Sequence, residues 1–358
     1  MVMGSAVSAL GGRLRALALR LFGAVAVIWA VVTVTFLAVR AVPGDPVLAI
    51  LGGPGSNATP EAVEQARADH GLDQPLWLQY VRYLGRVAVF DLGDSYDLRR
   101  PVTAIVGEQL PPTLGLALVA LVLAWTLAVA FSWWSMRGGR VAWAIASFLE
   151  AVGTVLPHFW IATVLIAVFA VSLGLPVAVS RPGAGGLILP AVTLAIPVAG
   201  FLGQVMRERM LDTLEQPFVV AARARGLGDT QVYFRHVLRH AAVPAVATTG
   251  WAFGSLVSGA VVVETIFARP GLGRTLLDAV MIRDVPLVCG ALIVVAIVYV
   301  LVTLATELAE RLLDPRIAGG AGAVEPAPGG AAGPGTPGPG SVRGPADAHA
   351  PITPAGAP

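Results

Sequence analysis

His236 and His240 stand four residues apart, the spacing that puts two imidazoles on one face of a helix and could hold a divalent metal. The sequence does not complete such a site. There is no HExxH, no third ligand and no neighbouring carboxylate, and Arg235 and Arg239 adjoin the pair with charge that repels a cation. The stretch reads instead as a cationic face beside lipid headgroups. Glu150 and His158 lie eight residues apart in one apolar stretch and are the groups a proton relay would use. Glu150 can equally be a solvated acid at a membrane interface. His158 follows Pro157, so it can donate to the carbonyl the proline frees, or it can line a solute path. Glu264 closes another apolar stretch and reads as a solvated interfacial acid, with a gate or partner contact as the alternative. Pro270-Gly271-Leu272-Gly273 has the composition of an anion-binding nest and, more simply, of a turn. Ser255 and Ser258 lack the GxSxG context of a nucleophile, and Gly254 and Gly259 beside them read as small residues for helix packing. All 24 basic residues are arginine, so a Walker A lysine and a Schiff-base lysine are excluded. The single cysteine, Cys289, excludes an internal disulfide and a cysteine metal cluster. No catalytic residue, bound cofactor or metal is expected of this chain, and no nucleic-acid partner.

The elements that must position these groups are membrane spans. Of 358 residues, 56% are apolar and 13% charged, where a soluble domain carries about 25% charged residues. Six stretches reach the roughly 20 apolar residues that a span needs: about Leu17–Val39, Thr113–Phe131, Ile145–Leu173, Leu187–Met206, Val243–Val263 and Leu287–Leu308. Pro157, Pro190 and Pro197 fall inside the third and fourth, which should therefore face protein, where freed backbone carbonyls find partners. The first stretch is too long for a signal-peptide core and is read as a retained helix. Arginine placement sets orientation. Arg13, Arg15 and Arg20 precede the first span, Arg137 and Arg140 follow the second, and six arginines (207, 209, 223, 225, 235 and 239) follow the fourth. These three regions alternate correctly, which puts both termini in the cytoplasm and a loop of about 70 residues outside. In that loop, Thr59-Pro60-Glu61 predicts a helix start and Gly71 its end. A second helix is expected from Asp73, with Trp77, Val81, Leu84 and Ala88 on one face and Tyr80 and Tyr83 beside them. It reads as an interfacial helix or as a cap that receives a partner. Asn57-Ala58-Thr59 fits a glycosylation triplet. The last 41 residues contain 31 Gly, Ala or Pro and cannot bury a core.

The cytoplasmic stretch 207–242 is long for a membrane-protein connection and predicts helix, turn, helix. Pro217 starts the first helix, Gly226 ends it, and Asp229 or Thr230 can cap the second. Small residues at 221, 222 and 226 would let another protein's backbone approach, with Arg223 and Arg225 flanking the contact.

The run AARARGLGDTQVYFRHVLRHAAVP, residues 221–244, resembles the EAA loop of permease subunits in binding-protein-dependent ABC importers. Ala221, Ala222 and Gly226 match that pattern. Val220 stands where the family often has Glu and Arg239 where it often has Pro, and His236 and Leu238 occupy the apolar pair. These departures remove an ion pair with the ATPase and resemble the dipeptide, oligopeptide and nickel branch. Further stretches resemble the same branch in the same order. They are Pro43-Gly44-Asp45-Pro46, Asp91-Leu92-Gly93-Asp94-Ser95 with Pro101-Val102, and Leu110-Pro111 with Thr113-Leu114. Pro157 with Phe159-Trp160, Leu189-Pro190-Ala191, Val263-Glu264-Thr265-Ile266-Phe267 with Pro270-Gly271-Leu272-Gly273, and Leu313-Asp314-Pro315-Arg316 complete the series. The resemblance covers residues 15 to 317 and implies an all-α polytopic permease of six spans with a small helical exterior domain between spans one and two. It implies a second homologous permease subunit, two ATP-binding cassette subunits that hold ATP and Mg, and an exterior substrate-binding protein. The coupling loop would be Val220, Ala221, Ala222, Arg223, Arg225, Gly226, Leu227, Gly228 and Asp229. Glu150, Pro157, His158 and Glu264 are the pore or gate candidates. The expected divisions are a cytoplasmic tail 1–15, a first span 16–40, an exterior domain 41–112, a permease core 113–317 and a tail 318–358. Peptides or nickel complexes are the expected solutes, in a prokaryotic plasma membrane. An ion-coupled homodimeric secondary transporter is the alternative.

Overall fold

The computed structural model describes residues 2–41, 47, 51, 59–69, 71–173 and 184–313. The 43–46 motif, Asn57 and Ala58 of the glycosylation triplet, most of the 174–186 loop, Asp314-Pro315-Arg316 and the 318–358 tail lie outside these residues. Every regular element among the described residues is a helix. They are α1 (Val2–Ala41), α2 (Pro60–Asp69), α3 (Leu76–Ala88), α4 (Val102–Arg137), α5 (Gly139–Val155), α6 (His158–Leu165), α7 (Ile188–Leu214), α8 (Pro217–Ala224), α9 (Asp229–Val232), α10 (Leu238–Ala247), α11 (Thr249–Ile266), α12 (Leu272–Met281) and α13 (Val285–Leu313). A π-helical turn, Ile166–Ser172, extends α6, and another, Tyr233–Val237, joins α9 to α10.

Five helices are long and apolar enough to cross a membrane: the Ala18–Ala38 part of α1, α4, α7, α11 and most of α13. The third expected span, drawn as one stretch from Ile145 to Leu173, is instead a pair. Gly139–Val155 and His158–Ser172 meet at a bend of 109°. Proline explains the break. Pro157 has no N–H to continue the ladder, and its ring pushes Leu156 into extended backbone with ψ 126°, so α5 stops at Val155. Pro190 lies in the first turn of α7, where a missing N–H costs no internal bond. Pro197 and the Pro111-Pro112 pair lie inside α7 and α4. α4 starts at Val102, ahead of the expected Thr113. The threonines of the spans return their hydroxyls to the carbonyl four residues back, as Thr126 does to Val122 at 2.7 Å and Thr193 to Leu189 at 2.8 Å.

Between spans the driving force is close packing, because lipid is as apolar as the helix surface. α4 supplies a stripe of fully buried alanines, Ala117, Ala120, Ala124 and Ala128, and α7 supplies Ala191, Ala195 and Ala199 to the same core. Gly200 and Gly203 bring α7 onto α5. A methyl group at 200 would stand 2.5 Å from the Glu150 carbonyl oxygen and 2.9 Å from the Thr154 nitrogen.

The segment before α4 docks on the start of α13. Asp284 is buried and precedes that helix. Its Oδ1 accepts the Leu287 N–H at 3.3 Å, an N-cap bond. Its Oδ2 accepts the Ser95 hydroxyl at 2.5 Å and the Asp97 N–H at 3.3 Å. α2 starts as expected, with the Ala62 N–H donating to Thr59 Oγ1 at 3.3 Å, and Gly71 leaves it at φ +62°. α3 begins at Leu76 behind Pro75, later than the expected Asp73. Tyr80 and Tyr83 pack on Phe36 of α1 in tilted ring contacts, with centroids at 5.3 and 5.6 Å, and Tyr80 Oη meets Thr33 Oγ1 at 2.6 Å. Trp77, Val81 and Ala88 face away, exposed, in the pattern an interfacial helix needs.

Candidate functional site

The Arg-rich end of the bundle carries a helical element built onto the last turns of α7. Pro217 opens α8 in the first-turn position that suits proline. Gly226 closes it in the left-handed region at φ +85°, with Gly226 N–H donating to Arg223 O at 2.9 Å and Leu227 N–H to Ala222 O at 3.3 Å. α9 then starts behind Gly228, whose backbone is extended. Neither Asp229 nor Thr230 caps it, because the chain is already turned by the glycine and no side chain bonds the first N–H groups. Asp229 instead reaches back to Arg223 at 3.4 Å.

The element has an inside and an outside. Val219, Ala222, Val232, Tyr233, Val237 and Ala241 are buried in one cluster with Met210 of α7, against Val129, Trp133 and Met136 of α4. Leu227 joins the cluster half-buried. Val220, at 58% exposure, points outward with Ala221, Arg223, Arg225, Gly226, Gly228 and Asp229. Ala222 therefore packs against its own protein and is unavailable to a partner, contrary to expectation. Beside the turn lies an open hollow of about 510 Å³, lined by Leu227, Gln231, Phe234 and Arg235. His236 and His240 stand against Phe218, with ring centroids at 6.4 and 5.2 Å. Tyr233 crosses from this element to α4. Its Oη lies 2.5 Å from Ser132 Oγ and donates to the Val129 carbonyl at 3.2 Å. Burial pushes its phenol up, and the bond to Ser132 pulls the other way.

The pore and gate candidates separate toward the two ends of the bundle. Glu150 is 2% exposed, so the solvated reading is overturned. The close approach of α5 to α7 shuts it in. Arg207 Nε lies 2.9 Å from Glu150 Oε2 without the alignment of a hydrogen bond, which leaves a buried ion pair. Arg207 also donates to Ser147 and lies over the Trp143 ring at 5.4 Å. Glu264 is 1% exposed, which overturns its solvated reading too. Thr113 donates to its Oε1 at 2.5 Å, and the Arg274 N–H donates to its Oε2 at 3.1 Å. The Leu272 N–H in turn donates to Thr113 Oγ1 at 2.8 Å. The 270–274 turn is thus a nest filled by the chain's own carboxylate, and α11, α12 and the start of α4 meet there. Pro157 forms the elbow between α5 and α6. His158 follows it with Nε2 buried and without a hydrogen-bond partner, so it does not donate to a freed carbonyl from that nitrogen. It packs over Gly259, where an added methyl would stand 2.9 Å from Nε2. Gly254 likewise admits the Tyr299 ring. No group of three or more metal-ligating side chains occurs among the described residues.

Three residues of these constellations were not singled out from sequence. In the sequence Arg207 is only one of six orienting charges, and Tyr233 and Asp284 carry no motif. Asp284 directly before an apolar run was a readable N-cap signal.

Comparison with known proteins bears on this geometry. Residues 120–319 match the family described as binding-protein-dependent transport system inner membrane component. Residues 13–117 match the N-terminal model of the same membrane components. A peptide transport system permease protein of Brucella suis biovar 1 is 34% identical, over 83% of this chain and 97% of its own length. The glutathione transport system permease protein GsiC of Escherichia coli K12 is 33% identical, over 83% of this chain and 97% of its own. Among solved structures, an inward-facing methionine ABC transporter, MetNI, aligns with 58% of this chain at a TM-score of 0.49 and 16% identity.

Proposed function

The chain belongs to the binding-protein-dependent transport system inner membrane components, and from that premise we propose that it is one half of a permease importing peptides or chemically related solutes. Its neighbours are a second homologous permease subunit, two ATP-binding cassette subunits carrying ATP and Mg, and an exterior binding protein. The setting is a bacterial plasma membrane, with both termini and the α8 turn in the cytoplasm and the 41–112 segment outside. The relatives' peptide and glutathione solutes support the substrate class.

One observation carries the coupling role. The α8 turn buries Val219, Ala222 and Leu227 in its own protein and holds Val220, Arg223, Arg225 and the backbone of Gly226 and Gly228 outward. Such a turn is firm on one side and open on the other, as a contact that transmits force must be. ATP binding on the partner subunits draws the two α8 turns together. α7 runs into α8 across Glu215 and Gln216 only, so its inner end follows. Helix packing without voids passes the shift on as rigid-body motion. The path then opens toward the exterior binding protein, and hydrolysis resets it.

The ion-coupled homodimer needs a titrating intramembrane group. The candidates for that group are Glu150 and His158; Glu150 is paired to Arg207, which leaves His158, with Nε2 buried and without a hydrogen-bond partner, as the group that reading would have to use. Uptake of labelled tri-alanine and glutathione into vesicles holding the full complex separates the two mechanisms. Vanadate should abolish uptake and a proton ionophore should leave it intact. The reverse pattern would establish ion coupling.

A further inference from the structure

We infer that Tyr233 and Ser132 form a strut that fastens the α8–α10 coupling element to α4, so that the two move as one body when the ATP-binding subunits close. The inference rests on the importer reading and adds a second route of transmission to it. α7 continues directly into α8, whereas α4 is remote in sequence and joins the element through side-chain packing and the hydrogen bonds of Tyr233.

The hydrogen-bond arithmetic makes this contact separable from the fold. Three oxygens meet: Tyr233 Oη, Ser132 Oγ and the Val129 carbonyl. Oη and Oγ are 2.5 Å apart, Oη is 3.2 Å from the carbonyl and Oγ is 3.0 Å from it. The two hydroxyls have two protons. One goes to the carbonyl and the other joins the hydroxyls, so no buried group is left unpartnered. Without the phenol oxygen, Ser132 still donates to Val129. Without the serine oxygen, Tyr233 still donates to Val129. Neither removal strands a polar atom, and Phe keeps the ring that fills the cluster. Tyr233→Phe removes both of these hydrogen bonds between the elements and leaves the apolar contacts, and Ser132→Ala removes one.

A second observation marks the same place. Tyr233 opens the π-helical turn Tyr233–Val237, which interrupts the α9–α10 rod where it crosses α4. π turns of this kind add a residue to a helix and re-aim its side chains, frequently at functional sites. Val232 and Tyr233 are consecutive and both fully buried, as are Val237 and Ala241 further along. The widened turn is what lets the inward face hold this register.

Spin labels at Arg137→Cys, the exposed end of α4, and Thr230→Cys, exposed on α9, test the strut in the assembled transporter, with the buried Cys289 replaced by Ala. In the otherwise native chain one narrow distance peak is expected, at the same position with and without vanadate-trapped nucleotide. Tyr233→Phe should lose that single peak on trapping while the ATPase stays bound and hydrolyses ATP. Ser132→Ala should show a smaller loss of the same kind. A peak that moves on trapping in the native chain would overturn the strut, as would a narrow unmoved peak in Tyr233→Phe. If Tyr233→Phe fails to assemble, Ser132→Ala decides by the same two outcomes. Failure of the native chain to recover an ATPase would sink the importer reading instead.

Discussion

At Glu150 a carboxylate and a guanidinium share a site from which water is largely excluded, and each is there only because the other is. The Glu150 side chain is 1% exposed and that of Arg207 14%. Glu150→Gln leaves Arg207 with Ser147 and the Trp143 face but no anion. Breaking a buried pair from one side typically costs about 3–5 kcal/mol. The residual partners and partial exposure reduce that to roughly 2–4 kcal/mol here. A lower thermal midpoint in detergent is expected, with vanadate-sensitive uptake persisting in the folded fraction. An unchanged midpoint with uptake abolished would return Glu150 to the role of a proton carrier. Glu264 makes the same point in different chemistry. Its acceptors are filled by Thr113 and the amides of the 270–274 turn. Both acids were visible in the sequence, Glu150 within an apolar stretch and Glu264 at the end of one, but their burial was not. Nor were their partners, because Arg207 and Thr113 are 57 and 151 positions away, and local patterning cannot reach across such separations.

Element boundaries follow from backbone chemistry at a few residues. Pro157 was legible as an irregularity, and Gly226 as a helix stop. The 109° bend was not, because a proline shows that a ladder breaks and says nothing about which way the chain leaves. Close helix approach was hidden for a different reason. Gly200, Gly203 and the Ala117-Ala120-Ala124-Ala128 stripe carry the α4–α7–α5 packing, but small residues are common throughout a chain that is 56% apolar with 41 glycines. A paired substitution exposes the difference. Gly200→Ala drives a methyl into the α5 backbone and should destabilise by about 1–3 kcal/mol. Gly107→Ala lies in open space on α4 and should stabilise by up to about 1 kcal/mol through helix propensity alone. Thermal midpoints measured side by side should move in opposite directions. Equal shifts would mean that the α5–α7 approach is looser than the Gly200 geometry implies.

On the scale of the whole molecule, the core divides into three buried clusters. One ties α1, α12, α13 and the segment around Leu92 to α3 and α4; a second joins α4, α7 and α11; the third holds the α8 turn. The all-helical, membrane-spanning architecture was readable from composition and the ordered motifs, since hydropathy acts on whole segments. The inward and outward faces of the coupling element were not, as Ala222 shows. Sequence placed it beside Ala221 on a partner surface, and the fold turns it inside. The central claim is that the outward face of this turn receives an ATP-binding subunit, and Gly226→Asp addresses it directly. Position 226 has open space for a side chain, and Asp is among the residues that tolerate a left-handed backbone, so the fold should survive. The decisive measurement is mild-detergent capture of the tagged chain in both forms, with co-purifying subunits identified by mass spectrometry. The account predicts an ATP-binding subunit and a second permease with the native chain, and the permease alone with Gly226→Asp. Recovery of the same partners with both forms, or of the native chain without any ATP-binding subunit, would contradict it.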